Sequence, residues 1–506
     1  MRYLETIRRR PACVVGILTI TVFLVQIGLT LTDIPSISLI QQYVCIRQNP
    51  GVDPDSLTPE QCQTISVVRE VNVIQMLSTL TASAPAILTA LIYGALADIV
   101  GRKLVFLISL LGLGIFQIAS MILAMSVPTI SVESVSVAGL VLFIGDGIGV
   151  AEAMVFTIIS DVTFDRWRSR GIPNYLSDAG HMLRRTISFQ IAICSVLLAE
   201  VVAAVSTPSL MSASSWASLQ LGLGLTVAGA LFLFTLPETL DVILAPPSQY
   251  RQRTMLSTLA ELMEFLAHLR HNSLPIWLLI PAAALTMPIA TTAASILSRT
   301  APFRYSTTFA ASSALVAVRA GTTIFALLVL LPPLLMFYNR RHLRPLHRRR
   351  EPGTSTASSP SKPQSQPHPL SRDLDLACLF ALFPILGTLI LAASSTARGA
   401  TAGVVVFTLG APVPGLTRAV LARLVEPAHR GRFFGMLAVV EQTGFLVVGL
   451  FLSGLLDAGL RNSEGRGEQW LGLPLYLAAV LFAMLALGLW LAHPRELQQP
   501  VQTERN

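Results

Sequence analysis

The chain has 506 residues, 53% of them hydrophobic and only 13% charged. That charge content is about half of the roughly 25% usual in soluble domains, which excludes an ordinary water-soluble enzyme or binding module. A net charge of +8 would suit nucleic acid in a soluble protein. In so apolar a chain it fits the basic residues that orient membrane segments, and nucleic acid is not an expected partner.

Apolar stretches long enough to cross a hydrocarbon core as helices recur along the whole sequence. They predict twelve spans, near 11–32, 76–97, 104–127, 135–160, 187–206, 216–236, 275–297, 312–337, 374–395, 401–424, 433–456 and 470–492. The first run exceeds a usual secretory core and lacks a small-residue cleavage site ahead of a soluble domain, so it reads as a span. With the N-terminus inside, 27 basic residues fall on inner segments and 7 on outer loops. This predicts cytoplasmic termini. The expectation is an all-α polytopic membrane protein of two six-helix bundles, resident in the lipid bilayer of the plasma membrane and working as a monomer.

Span 1 carries Gln26, read as an interhelical packing residue. The long outer loop that follows holds Cys45 and Cys62. An oxidising exterior permits a disulfide there; two free thiols are the alternative. Cys13, Cys194 and Cys378 fall in spans, where small buried hydrophobes are the default. No Asn stands in an N-x-Ser/Thr context, so N-glycosylation is not expected.

Between spans 2 and 3 lies "GALADIVGRK", Gly94–Lys103. Positive-inside topology accounts for Arg102 and Lys103. It does not account for Asp98 or for Gly94 and Gly101, which allow a tight turn and close helix approach. Gly94, Leu96, Asp98, Gly101, Arg102 and Lys103 resemble the loop 2–3 signature of the major facilitator superfamily. "LPETL" at the end of span 6 resembles a second family feature. The resemblance implies two bundles that rock about a midplane cavity, with this loop latching the inner face when the carrier opens outward. It implies that Asp98 meets the start of span 11, near residues 431–434, and that Arg102 pairs with Asp161 at the end of span 4. The outer cysteines and the segments around spans 11 and 12 resemble a fungal branch related to proton-coupled folate-type carriers.

Two departures stand out. The span-4 pattern linked in the family to proton coupling has Phe143 in place of its arginine, and span 5 lacks the Gly-Pro signature of drug:proton antiporters. "IGDGIGVAE" superficially resembles a nucleotide loop, but it lies in an apolar span with no strand before it. Its glycines are read as helix-packing residues.

Ionisable groups within spans are expensive and therefore functional candidates. Asp146 and Glu152 lie in span 4, six residues apart, and point about 120° apart on a helix. Glu441 and Gln442 are adjacent in span 11. Glu200 lies toward the outer end of span 5, and Arg319 and Arg418 lie within spans 8 and 10. The acids are candidates for lining the cavity or carrying a coupling proton, with structural interhelical hydrogen bonds as the alternative. Glu200 and the two arginines have the further alternative of reaching the membrane surface.

The domain reading is an N-terminal bundle (1–240), a linker with an amphipathic helix (241–273), a C-terminal bundle (274–495) and a tail (496–506). A basic Ser/Pro-rich insert (338–373) is expected to be disordered and to meet anionic headgroups. No metal cluster, cofactor or enzyme signature is present in the sequence. The expected function is secondary transport of a small organic molecule, with efflux of a metabolite preferred. Uptake of a nutrient or anion, or a non-transporting sensor of the same fold, are the alternatives.

Overall fold

A computed structural model describes residues 11–50, 61–126, 131–145, 147–164, 175–238, 274–338, 369–424, 430–466 and 468–492. Among the described residues, twelve helices are long and apolar enough to cross a membrane. They are α1 (Pro11–Gln48), α2 (Ile65–Val100), α3 (Arg102–Ser126), α4 (Ile148–Phe164, preceded by a 3-10 segment at Val132–Phe143), α5 (Tyr175–Ala213) and α6 (Ser215–Leu233). The second six are α7 (Leu274–Tyr305), α8 (Phe309–Ile324, running into a π-helical stretch at Phe325–Leu330), α9 (Pro369–Ala393), α10 (Ala397–Thr408 with Val413–Leu424), α11 (Arg430–Arg466) and α12 (Leu473–Leu491). The linker at 241–273, the insert from 339 to 368 and the tail at 496–506 lie outside the described residues.

The connections between successive spans define two ends of the molecule. The disulfide end carries the α1–α2 connection, where Cys45 and Cys62 are bonded with their Cα atoms 5.2 Å apart. The motif end carries Gly94–Lys103.

Apolar residues at helical spacing build the core. Val14, Leu18 and Val25 of α1 are buried with Val105, Phe106 and Leu110 of α3, Ile158 and Ile159 of α4 and Leu233 of α6. In the second six, Leu279 and Ala283 of α7 pack with Ala377 and Phe380 of α9, Val420 of α10 and Phe433 of α11. A third cluster brings Val68 of α2 against Leu452, Leu456 and Leu460 of α11, joining the two halves at the disulfide end.

Several helices run well past the expected span ends. α1 continues beyond residue 32 because Ile37, Ile40 and Val44 keep the helical spacing and are buried beside Val67, Val71 and Ile74 of α2. This draws Asp33 into the body of a helix. α7 likewise continues past residue 297 and carries Arg299 inside it.

Span 4 is not one continuous helix. Its glycines pack closely, since a Cβ on Gly145 would meet the α3 backbone at 2.5 Å from the Ile108 oxygen, and they do more than pack. Gly145 and Gly147 adopt φ of +89° and +67°, a backbone region that favours glycine, and they break the span between its 3-10 and α segments. Three backbone groups at the break find side-chain partners, which backbone at membrane depth requires. Tyr93 of α2 donates to the Phe143 carbonyl at 3.0 Å and accepts from the Gly145 N–H at 2.8 Å. Ser109 of α3 donates to the Gly147 carbonyl at 2.5 Å.

Candidate functional site: charged pairs between the helices

At the motif end, the turn between α2 and α3 is tied to its own half of the molecule. Gly101 adopts φ +116°, and a Cβ placed on it would lie 2.7 Å from the Glu238 carboxylate. The Arg102 backbone N–H donates to Glu238 Oε1 at 3.2 Å. Lys103 Nζ donates to the Phe234 carbonyl at 2.9 Å, setting a cation on the last carbonyls of α6, where it suits the helix dipole. Leu96 packs on the first-half core, and Gly94 is exposed. The Pro-Glu-Thr end of span 6 is thus the partner of this turn. Arg102 Nη1 donates to the Thr157 carbonyl of α4 at 3.4 Å, one turn before Asp161. The side chains of Asp98 and Asp161 lie outside the described residues, as does Asp146 altogether.

A Gly101→Ala change places a side chain both in a strained backbone region, at a cost of about 1–3 kcal/mol, and in the space of Glu238. We expect a fall of several degrees in thermal stability, measured on the purified protein.

Deeper in the molecule, the candidate arginines and acids find one another rather than the membrane surface. Arg319 Nη2 of α8 donates to Glu200 Oε2 of α5 at 3.0 Å, bridging the two halves with side-chain exposures of 29% and 16%. Arg418 Nη2 of α10 donates to Glu441 Oε2 of α11 at 2.6 Å. Glu152 of α4 stands in the field of Glu441 and Arg418, both from the opposite half. Gln442 adjoins Glu441, half-buried. Glu441 lies about 16 Å along α11 from Arg430 at 1.5 Å per residue, near mid-depth. Gln26 reaches Thr30 of its own helix, at 3.5 Å.

Asp33 completes the other cluster. It lies about 22 Å from the end of α1 at Gln48 and stands in the field of both Glu200 and Arg319. The charges thus form two groups of one arginine and two carboxylates: Asp33, Glu200 and Arg319, and Glu152, Arg418 and Glu441. Asp33, in the body of α1, and Glu152, near the start of α4, are both exposed, and each feels a charge from the other half. Sequence reading missed Asp33 because the apolar run breaks at it. The buried isoleucines that follow at helical spacing are the signal that recovers it.

The disulfide end is closed by a polar seam. Arg69 Nε of α2 donates to Asp457 Oδ1 of α11 at 2.6 Å, and Arg461 joins the same carboxylate at 2.8 Å. Asn72 of α2 donates to the Ser453 carbonyl at 2.9 Å, both residues being buried. Gln63 donates to the Thr307 carbonyl across the same end at 3.4 Å.

No family model matches the chain. A relative from Emericella nidulans, named as an MFS efflux pump, atnC, is 27% identical over 498 residues, covering 95% of this chain and 88% of the relative. An MFS-type transporter from Aspergillus flavus, aprT, is 24% identical over 448 residues, covering 87% and 79%. Among solved structures, a D-xylose–proton symporter superposes with a TM-score of 0.58 over 95% of this chain and 98% of its own, at 10% identity. The described chain thus has the twelve-span, all-α fold of major facilitator transporters.

Proposed function

We propose that this chain is a secondary active carrier of the major facilitator superfamily that exports a small organic molecule by alternating access. The observation that carries the reading is the pairing of charged groups between helices and between the two halves, with a polar seam closing one end. An acid or arginine within a membrane span is expensive, so six of them in the spans, brought into two groups, fit a polar binding chamber. The efflux assignment draws on the Emericella nidulans relative. The cysteine pair and the "GALADIVGRK" loop add the resemblance to the fungal folate-type branch.

In this reading residues 1–240 and 274–495 are the two moving units, and the chain acts as a monomer in the plasma membrane. The excess of basic residues on the motif side sets that end in the cytoplasm. The closed disulfide end then makes this the inward-facing state. Opening outward requires Arg69–Asp457 and Asn72–Ser453 to separate, while Asp98 and the loop around it latch the motif end. Glu152 and Asp33, each without an arginine of its own among the described residues, are the acids suited to carry a coupling proton.

The rocking is tested by pairing Arg69→Cys with Asp457→Cys. Oxidative cross-linking of this pair is expected to stop transport, while each single variant continues to transport under the same oxidant. Undiminished transport in fully cross-linked protein would refute alternating access through this seam.

A further inference from the structure

We propose that Arg299 heads a binding site for a compact monoanion inside the seam at the disulfide end. Arg299 lies on α7 about 9 Å from the end of that helix and is only 8% exposed. Its Nη2 donates to Ser295 Oγ at 2.8 Å. Its Nη1 reaches Asn72 Oδ1 at 3.5 Å, the outer limit of a hydrogen bond. Its Nε, also buried, has no partner among the described residues.

No carboxylate among the described residues lies within ion-pair distance of this guanidinium. Arg69, Arg319 and Arg418 differ in that each has a carboxylate at 2.6–3.0 Å. A buried cation without a counter-charge is unfavourable, and Arg does not escape by losing its proton. The neighbours do not supply the balance. Asn72 turns its oxygen to Arg299 and spends its amide on the Ser453 carbonyl. Ile296 and Leu297 on α7 and Leu452 and Leu456 on α11 make the surroundings apolar.

What remains at the site is a set of donors facing one charge. The Nε–H is unused, and the planar guanidinium presents it in a fork beside an Nη proton, which suits an anionic acceptor. The Ser295 hydroxyl accepts from Nη2, and its own proton has no acceptor among the described residues. One positive charge calls for one negative charge, so a halide or a carboxylate fits and a dianion over-compensates. The anion comes from solution as chloride or arrives as the carboxylate of a molecule in the chamber. Either way it neutralises the seam when closed and stabilises that state.

The test uses full-length protein in lipid nanodiscs, unfolded thermally at constant ionic strength. Sodium gluconate, too bulky for so enclosed a site, is replaced stepwise by sodium chloride or by sodium acetate. Wild-type protein is expected to gain about 2–4 °C with one or both compact anions, and Arg299→Gln is expected to lose the gain. A gain with chloride identifies a solution halide; a gain with acetate alone identifies a carboxylate ligand. Equal stability in all three salts, or a gain that persists in Arg299→Gln, would overturn the site. Should Arg299→Gln fail to fold, Ser295→Ala decides the matter. It keeps the cation, removes one donor, and should raise the half-saturating anion concentration about tenfold; an unchanged value overturns the proposal.

Discussion

Arg418→Ala is expected to reduce transport by about a hundredfold and to destabilise the protein by about 3 kcal/mol. Arg418 is the only cation within salt-bridge distance of Glu441 among the described residues, with its Nη2 2.6 Å away. Its charge also reaches Glu152 across the space between the halves. Removing it leaves the Glu441 and Glu152 carboxylates, which repel one another, without the cation that offsets them. Arg418 keeps 38% side-chain exposure, so part of the electrostatic loss is screened, and the effect on transport should exceed the effect on stability. Arg418→Lys restores charge without the forked geometry and should recover part of the activity. The double change Arg418→Ala with Glu441→Gln should recover stability but not transport. Measured together, transport and thermal unfolding separate these outcomes. If Arg418→Ala transports at the wild-type rate, the central charges have no role in the cycle.

Asp98→Asn is expected to abolish net flux at normal expression. The substitution keeps the size of the side chain and removes its charge. The surrounding turn is built for a fixed geometry, with Gly101 at φ +116°, Arg102 bonded to Glu238 and Lys103 on the end of α6. Those contacts all lie within the first half, so they hold the turn in shape without crossing to the second half. A latch between the halves needs a further group, and Asp98 is the residue in this loop that topology leaves unexplained. Flux measured in membrane vesicles, normalised to surface protein, provides the test. Unaltered flux would remove the latch from the mechanism.

The twelve spans were readable because length and apolarity are local properties, and the loop at Gly94–Lys103 was readable because its glycines and acid exceed what positive-inside topology needs. Span ends were less so. Asp33 and Arg299 fall where hydropathy drops, yet both lie in helices because burial against a neighbouring helix, rather than lipid, carries the chain on. The break at Gly145 and Gly147 was hidden for a related reason. Glycines that allow close packing and glycines that reverse the backbone look alike in one sequence, and here Tyr93, 52 residues away, satisfies the freed N–H. Pairing was the least legible feature. Glu200 and Arg319 are separated by 119 residues, and only the approach of α5 to α8 makes them partners instead of two groups reaching for the membrane surface.

The central claim is that this fold moves a small organic molecule out of the cell. The most direct measurement compares small molecules inside and outside cells that express the chain, cells that lack it, and cells that express Asp98→Asn at equal surface level. The account predicts that at least one compound accumulates inside when the chain is absent or carries Asp98→Asn, and appears outside when the wild-type chain is present. Identical distributions in all three, or a compound that enters only when the wild-type chain is present, would contradict it.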